Sequence, residues 1–223
     1  MTGKLFFRAA AALFVGFAVV AALLFLPAGT WNWAGGWRLL GLLFVPMGLL
    51  GIVLMVRDPA LLSRRLQNKE SEPEQRSVIG GSALMFLAGF VTAGLDYRFG
   101  WSHVPGWVVA AASVVLLVSY GLYAEVMREN TWLSRTVEVQ ENQTVVDTGL
   151  YGIVRHPMYA VTVALFCSMP LVLGSWYGFA IFCVYPLLLV RRIQNEEQVL
   201  NEGLPGYREY CRKVRWRMFP YLW

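Results

Sequence analysis

Two clusters of side chains able to do chemistry stand at the ends of apolar segments. They are Arg155-His156-Pro157-Met158-Tyr159 and, further on, Arg191-Arg192-Ile193-Gln194-Asn195-Glu196-Glu197. Imidazole, phenol, guanidinium and carboxylate groups can together hold a charged ligand, orient an electron-rich atom and move a proton. Pro157 opens a helix where its missing N–H costs nothing, which puts His156 at the entrance and Tyr159 one turn inward. Such an entrance offers N–H groups and the positive end of a helix dipole to a carboxylate or another electron-rich ligand. Arg192 and Glu196, four residues apart, share a helix face, and Glu197 is turned from Glu196 by about 100°. If the intervening apolar segments fold back on each other, the two clusters meet in one pocket.

The elements that must do this positioning are membrane segments. The chain is 57% hydrophobic and 15% charged, with mean hydropathy +0.50, and its apolar residues come in blocks. That composition excludes an ordinary soluble domain and predicts an all-α polytopic membrane protein. Runs at 9–26, 39–56, 78–95, 107–124, 157–173 and 176–190 make about six membrane segments. The last two are short and are separated only by Gly174 and Ser175, which predicts a tight helical hairpin. The first run follows Lys4 and Arg8 and precedes Ala28, but it exceeds the apolar core of a signal peptide and reads as a membrane segment. With a cytoplasmic amino terminus, all of the 19 lysines and arginines except Arg38 and Arg98 fall on the cytoplasmic side. Both termini are then cytoplasmic.

On the opposite side, Trp31, Trp33, Trp37, Trp101, Trp107 and Trp176 read as headgroup-level anchors. The net charge of +5, gathered on one face, fits contact with membrane lipids and implies no nucleic acid. Cys167, Cys183 and Cys211 are odd in number and indicate neither a disulfide framework nor a metal site.

The two halves differ in kind. Residues 1–127 read as a four-segment scaffold whose connector, 57–77, opens with Asp58-Pro59, an N-cap and N1 proline for a short surface helix. Residues 128–223 hold a cytoplasmic segment, the hairpin and a tail. Within them, 135–146 alternates β-branched and polar residues and reads as extended or hairpin-like. Taken singly, Arg155 and Arg191 read as lipid headgroup contacts, Arg192 and Glu196 as a helix-stabilising pair, and Tyr151, Tyr207 and Tyr210 as interface aromatics. Their convergence at one end of one hairpin favours a functional site. A transporter would carry ionisable groups near the midplane, whereas Arg38, Asp96, Arg98 and Glu125 lie near segment ends. A non-catalytic membrane scaffold is the other rival. No Gly-rich turn follows a strand in a βαβ unit, so a soluble α/β nucleotide-binding architecture is not expected.

Gly149-Leu150-Tyr151-Gly152-Ile153-Val154-Arg155-His156-Pro157-Met158-Tyr159, then Arg192-x-x-x-Glu196-Glu197-x-x-Leu200, then Tyr207-x-x-Tyr210, resembles the isoprenylcysteine carboxyl methyltransferase and phospholipid methyltransferase superfamily. These are integral membrane enzymes that use S-adenosyl-L-methionine. The similarity covers about residues 128–220, with Ala160 where the family often has glycine and Leu150-Tyr151-Gly152 where Pro-Tyr-Arg is commoner. It implies a cofactor pocket at the cytoplasmic mouth of the last helices, roofed by the C-terminal tail. Carried over by motif, Gln140, Gln143, Thr144, Val145, Val146, Tyr151, His156, Pro157, Met158, Tyr159 and Glu196 would contact the cofactor. Glu196 suits its α-ammonium, the helix entrance its carboxylate, and Tyr151 or Tyr159 its adenine or sulfonium.

Arg192 matches the family's substrate-facing arginine and is the candidate catalytic residue. The acceptor implied is hydrophobic and lipid-like, first an isoprenylcysteine-type carboxylate, with a phospholipid amine or a small thiol as alternatives. A carboxylate needs no general base, whereas an amine must lose a proton, to His156 or Glu197. The compact chain and short loops point to a prokaryotic inner membrane.

Overall fold

A computed structural model describes residues 2–66, 73–134 and 139–223. Lys69 and positions 135–138 of the segment expected to be extended lie outside the described residues. In chain order the helices are α1 (Thr2–Ala28), α2 (Ala34–Arg57), α3 (Pro59–Arg65), α4 (Pro73–Phe99) and α5 (Gly106–Glu129). A 3₁₀ turn at Gly149–Gly152 precedes α6 (Pro157–Leu173), α7 (Trp176–Phe182), α8 (Tyr185–Gly203) and α9 (Tyr207–Lys213). The described residues contain no strand. Between 139 and 146 there is instead a tight turn, in which Gln143 N–H donates to the Gln140 carbonyl at 3.1 Å and Asn142 takes φ 59°. Asparagine tolerates that left-handed conformation, which a strand ladder would not accommodate.

Local chemistry sets the helix boundaries. Asp58 Oδ1 accepts from Leu61 N–H at 2.9 Å with Pro59 in the first turn, so α3 starts where the sequence places a surface helix. Gly174, at φ 86°, ends α6 in the left-handed conformation that favours glycine, and Ser175 Oγ caps α7 by accepting from Gly178 N–H at 2.9 Å. The run expected as one segment from 176 to 190 is broken at Cys183-Val184. Pro186 has no N–H to give the Phe182 carbonyl, and the Cys167 thiol contacts that carbonyl instead, at 3.8 Å.

Five stretches are long and apolar enough to cross a membrane: Gly3–Ala28, Ala34–Arg57, Val78–Phe99, Gly106–Glu129 and Trp176–Gly203. The last of these holds α7 and α8. The sequence expectation of about six segments, the last two short, thereby becomes five, because α6 is a shorter apolar helix of 17 residues. The protein is an integral membrane bundle. Large apolar side chains such as Phe7, Phe14, Leu49, Ile52, Val118 and Leu187 cover its outside, where lipid replaces water.

Inside, α6 lies along α5 and also touches α2, α4, α7 and α8, while α4 packs between α1 and the α7–α8 pair. Gly94 permits the close crossing of α1 and α4, since a Cβ there would stand 2.7 Å from the Leu24 carbonyl oxygen. Leu24, Leu39, Leu116, Val172, Phe182, Leu189 and Ile193 are fully enclosed.

The two ends of the bundle differ. At one end the α1–α2, α4–α5 and α6–α7 turns gather, tied by Tyr97 Oη donating to the Asn32 carbonyl at 3.0 Å and Trp176 Nε1 donating to the His103 carbonyl at 3.1 Å. Trp31, Trp37, Trp101, Trp107 and Trp176 are exposed there, but Trp33 is not the anchor its sequence position suggests. It is buried, stacked on Tyr97 with ring centres 4.8 Å apart. The same end encloses Asp96, only 2% exposed, whose carboxylate accepts from Ser102 N–H at 2.7 Å, Ser102 Oγ at 2.6 Å and Ser175 Oγ at 2.5 Å.

Candidate functional site

The opposite end carries the two motif clusters, and the α6–α8 contact brings them together. Arg192 Nε on α8 donates to Tyr159 Oη on α6 at 2.9 Å, and that phenol donates in turn to Glu196. The His156 ring stacks on Tyr159 at 5.7 Å, with Nδ1 3.9 Å from Glu196. The side chains predicted to converge from the spacing of the motifs therefore do so.

Behind them stands a charged hub that the sequence reading misplaced. Glu197 accepts from Arg155 Nε at 2.7 Å, Arg217 Nε at 2.8 Å and His156 Nε2 at 3.2 Å. Arg155 also donates from Nη1 to the carbonyls of Val214 and Arg215, at 3.0 and 3.1 Å. Its side chain is 9% exposed, as is that of Glu197, so Arg155 is an internal tie and not a lipid headgroup contact. Glu197 holds three donors and does not line the cavity, which removes it as a proton acceptor for a substrate. The tail joins through backbone as well, since Arg155 N–H donates to the Trp216 carbonyl at 2.9 Å and His156 N–H to that of Arg217 at 2.8 Å. Those two amides at the α6 entrance are committed to the tail and not offered to a ligand. The adjacency of two glutamates was the available sequence signal, because on a helix only one of them can face the same ligand.

A cavity of about 670 Å³ opens between these elements. Its wall includes Gln143, Thr144, Val145, Val146, Tyr151 and His156, followed by Met158, Tyr159, Arg192 and Glu196. Two expected residues stand off it. Gln140 Nε2 donates to the Trp132 carbonyl at 2.5 Å, and Pro157 is buried in the first turn of α6. Along α8 the lining runs from Tyr185 to Leu200, a rise of about 22 Å. Phe86, Phe166 and Tyr185 close the apolar end, with ring centres 4.9 Å apart for Phe86–Phe166 and 4.8 Å for Phe166–Tyr185.

The sequence reading also missed contributions from the first half of the chain: Arg65, Ile79, Ser82, Ala83, Phe86 and Tyr123 all line the cavity. Tyr207 and Tyr210 of α9 complete the polar end. Burial, above all, pushes the phenols of Tyr151, Tyr207 and Tyr210 well above their usual range, so each keeps its proton at neutral pH. Tyr210 uses that proton on the Tyr151 carbonyl at 2.8 Å, whereas the buried Tyr207 oxygen has no hydrogen-bond partner among the described residues.

A cavity at the end of a membrane bundle, with cationic donors, an anionic acceptor and neutral hydroxyls on one wall, can hold a zwitterionic ligand next to an amphiphile. Residues 101–205 match the family model described as phospholipid methyltransferase. The mouse (Mus musculus) Delta(14)-sterol reductase is 30% identical over 91 residues, which is 40% of this chain and 22% of that protein. The alignment thus takes in about a fifth of the curated relative's length. The matched region of the chain runs through α5 to α8, and its similarity points to the phospholipid methyltransferase type of superfamily in general.

Proposed function

We propose that this protein transfers a methyl group from S-adenosyl-L-methionine to the headgroup nitrogen of a membrane phospholipid. The observation that carries the proposal is that the family match at 101–205 spans the residues that put Tyr151, His156, Tyr159, Arg192 and Glu196 on one cavity wall. An isoprenylcysteine-type carboxylate, the first expectation from the motifs, would suit Arg192, but the matching description names a phospholipid.

The residues present fit the cofactor. The cavity falls within the ~300–1,000 Å³ usual for small-molecule sites, and it offers the unpartnered Tyr207 phenol and the Glu196 carboxylate to polar groups of a bound molecule. Glu196 would hold an α-ammonium, Tyr151 and Tyr159 would pack against the adenine or sulfonium, and the Tyr207 hydroxyl would donate to a nitrogen or oxygen acceptor. Bound there, the cofactor supplies an electrophilic methyl group.

The chain's own residues prepare the acceptor. His156 Nε2 donates to Glu197, which fixes the tautomer and leaves the Nδ1 lone pair to take a proton from an ammonium headgroup. Arg192, held by Tyr159, positions the acceptor, and the bundle keeps bulk water from the reacting atoms. In this reading α6, α7 and α8 fold back as a hairpin, the segment 214–217 roofs the cofactor, and the site faces the cytoplasm, as the distribution of basic residues implies.

The test is calorimetry with S-adenosylhomocysteine on detergent-purified protein, followed by transfer of labelled methyl to phosphatidylethanolamine, an isoprenylcysteine and a small thiol. Binding that Glu196→Ala weakens at least tenfold, with label on phosphatidylethanolamine, is the expected result. Absence of S-adenosylhomocysteine binding by the wild-type protein, or label on none of the three acceptors, would overturn the proposal.

A further inference from the structure

We infer that Arg65 binds the phosphate of the acceptor lipid, an inference that rests on the phospholipid reading above. The charges around the cavity do not cancel. Of the cationic side chains on its wall, Arg155 is paired with Glu197, and Arg192 reaches Glu196 through the Tyr159 phenol. Arg65 has only neutral partners among the described residues: the Tyr123 phenol, to which Nη2 donates, and the Ser134 carbonyl, 3.3 Å from Nη1. Its guanidinium also lies over the Tyr123 ring, 5.5 Å from the centroid.

A half-buried guanidinium with no carboxylate keeps most of its capacity for an anion. One carbonyl, one phenol oxygen and a ring hold it in place without neutralising it. The helix behind it is fixed too, by Leu61 and Leu62 buried on one side and Arg64 Nη2 donating to the Thr131 carbonyl at 2.6 Å on the other.

The position of Arg65 explains the ligand class. Ile79 and Ala83 of α4 line the cavity and are themselves exposed, in a helix long and apolar enough to cross a membrane, which argues that the wall at α4 opens toward lipid. A phospholipid entering there places its phosphate against Arg65 and its amine toward His156 and Glu196, while its chains stay along the apolar lip. A free anion would find the same guanidinium, and the experiment separates the two sources.

Protein in a neutral maltoside detergent, with S-adenosylhomocysteine present, is titrated by native mass spectrometry with two lipids. One is phosphatidylethanolamine, and the other is an analogue whose phosphodiester is replaced by an ether. Wild type should prefer the phosphate-bearing lipid by about tenfold to a hundredfold, Arg65→Gln should bring the two to parity, and Arg65→Lys should fall between. Equal binding of both lipids by wild type, or an undiminished preference in Arg65→Gln, overturns the inference. So does full displacement of the lipid by inorganic phosphate, which would mark a simple ion site. If Arg65→Gln fails to fold, the wild-type comparison and Arg65→Lys still decide. Calorimetry of S-adenosylhomocysteine on the same samples tests the methyltransferase reading separately: no binding by any sample sinks that reading, and the lipid preference then judges Arg65 alone.

Discussion

Tyr207 and Glu197 are neighbours in the site with opposite energetic situations. A buried hydroxyl without a partner costs about 1–3 kcal/mol, so Tyr207→Phe should raise the stability of the unliganded protein by about 1 kcal/mol. The same change should weaken S-adenosylhomocysteine binding, because the hydroxyl is retained for a ligand. Thermal unfolding and calorimetry on one preparation check both halves, and a variant that is neutral in both would remove Tyr207 from the site. Glu197→Gln should have the reverse profile, destabilising the fold by about 3–5 kcal/mol, since Arg155 then stays buried without a counter-charge. His156, Tyr159, Arg192 and Glu196 were legible in the sequence because polar groups are conspicuous beside apolar runs and helical spacing tells which of them share a face. The roles of Arg155 and Glu197 were not, because helix geometry says which way a side chain turns but not that Arg217 and the carbonyls at 214 and 215 will be waiting there.

At the level of elements, the boundary chemistry was readable and the partners were not. Asp58-Pro59 announced α3, and Gly174-Ser175 announced the turn between α6 and α7. The break between α7 and α8 was missed although Pro186 stands in the sequence, because the apolar count over 176–190 outweighed one missing N–H. Trp33 was misread for a related reason: its burial depends on Tyr97, an element away. Asp96 joins the end of α4 to the α6–α7 turn through Ser102 and Ser175. Asp96→Asn removes the charge those donors converge on, with an expected loss of about 2–3 kcal/mol. Thermal melting of the detergent-solubilised protein measures it, and an unchanged melting temperature would show that the cluster bears no strain of assembly.

For the whole molecule, the sequence predicted an all-α membrane bundle, and composition alone was sufficient because few other structures satisfy backbone polar groups in hydrocarbon. Composition could not show that α3, α4 and α5 lend Arg65, Ile79, Ala83 and Tyr123 to the cavity, since that follows from how the helices pack side by side. Orientation belongs to this scale. In sealed right-side-out vesicles of a variant whose Cys167, Cys183 and Cys211 are replaced by serine, a membrane-impermeant maleimide should label a cysteine placed at the exposed Trp107, while one placed at the exposed Arg208 should react only after the vesicles are opened. The reverse pattern would place the cavity on the outer side.

The pairing of the Arg155 and His156 amides with the carbonyls of Trp216 and Arg217 also sets an order for biosynthesis. Every apolar helix precedes that stretch in the chain, so Glu197 is synthesised before Arg217, its last counter-charge. A chain truncated ahead of residue 214 and released would keep all its apolar helices while its ligand pocket stayed unfinished.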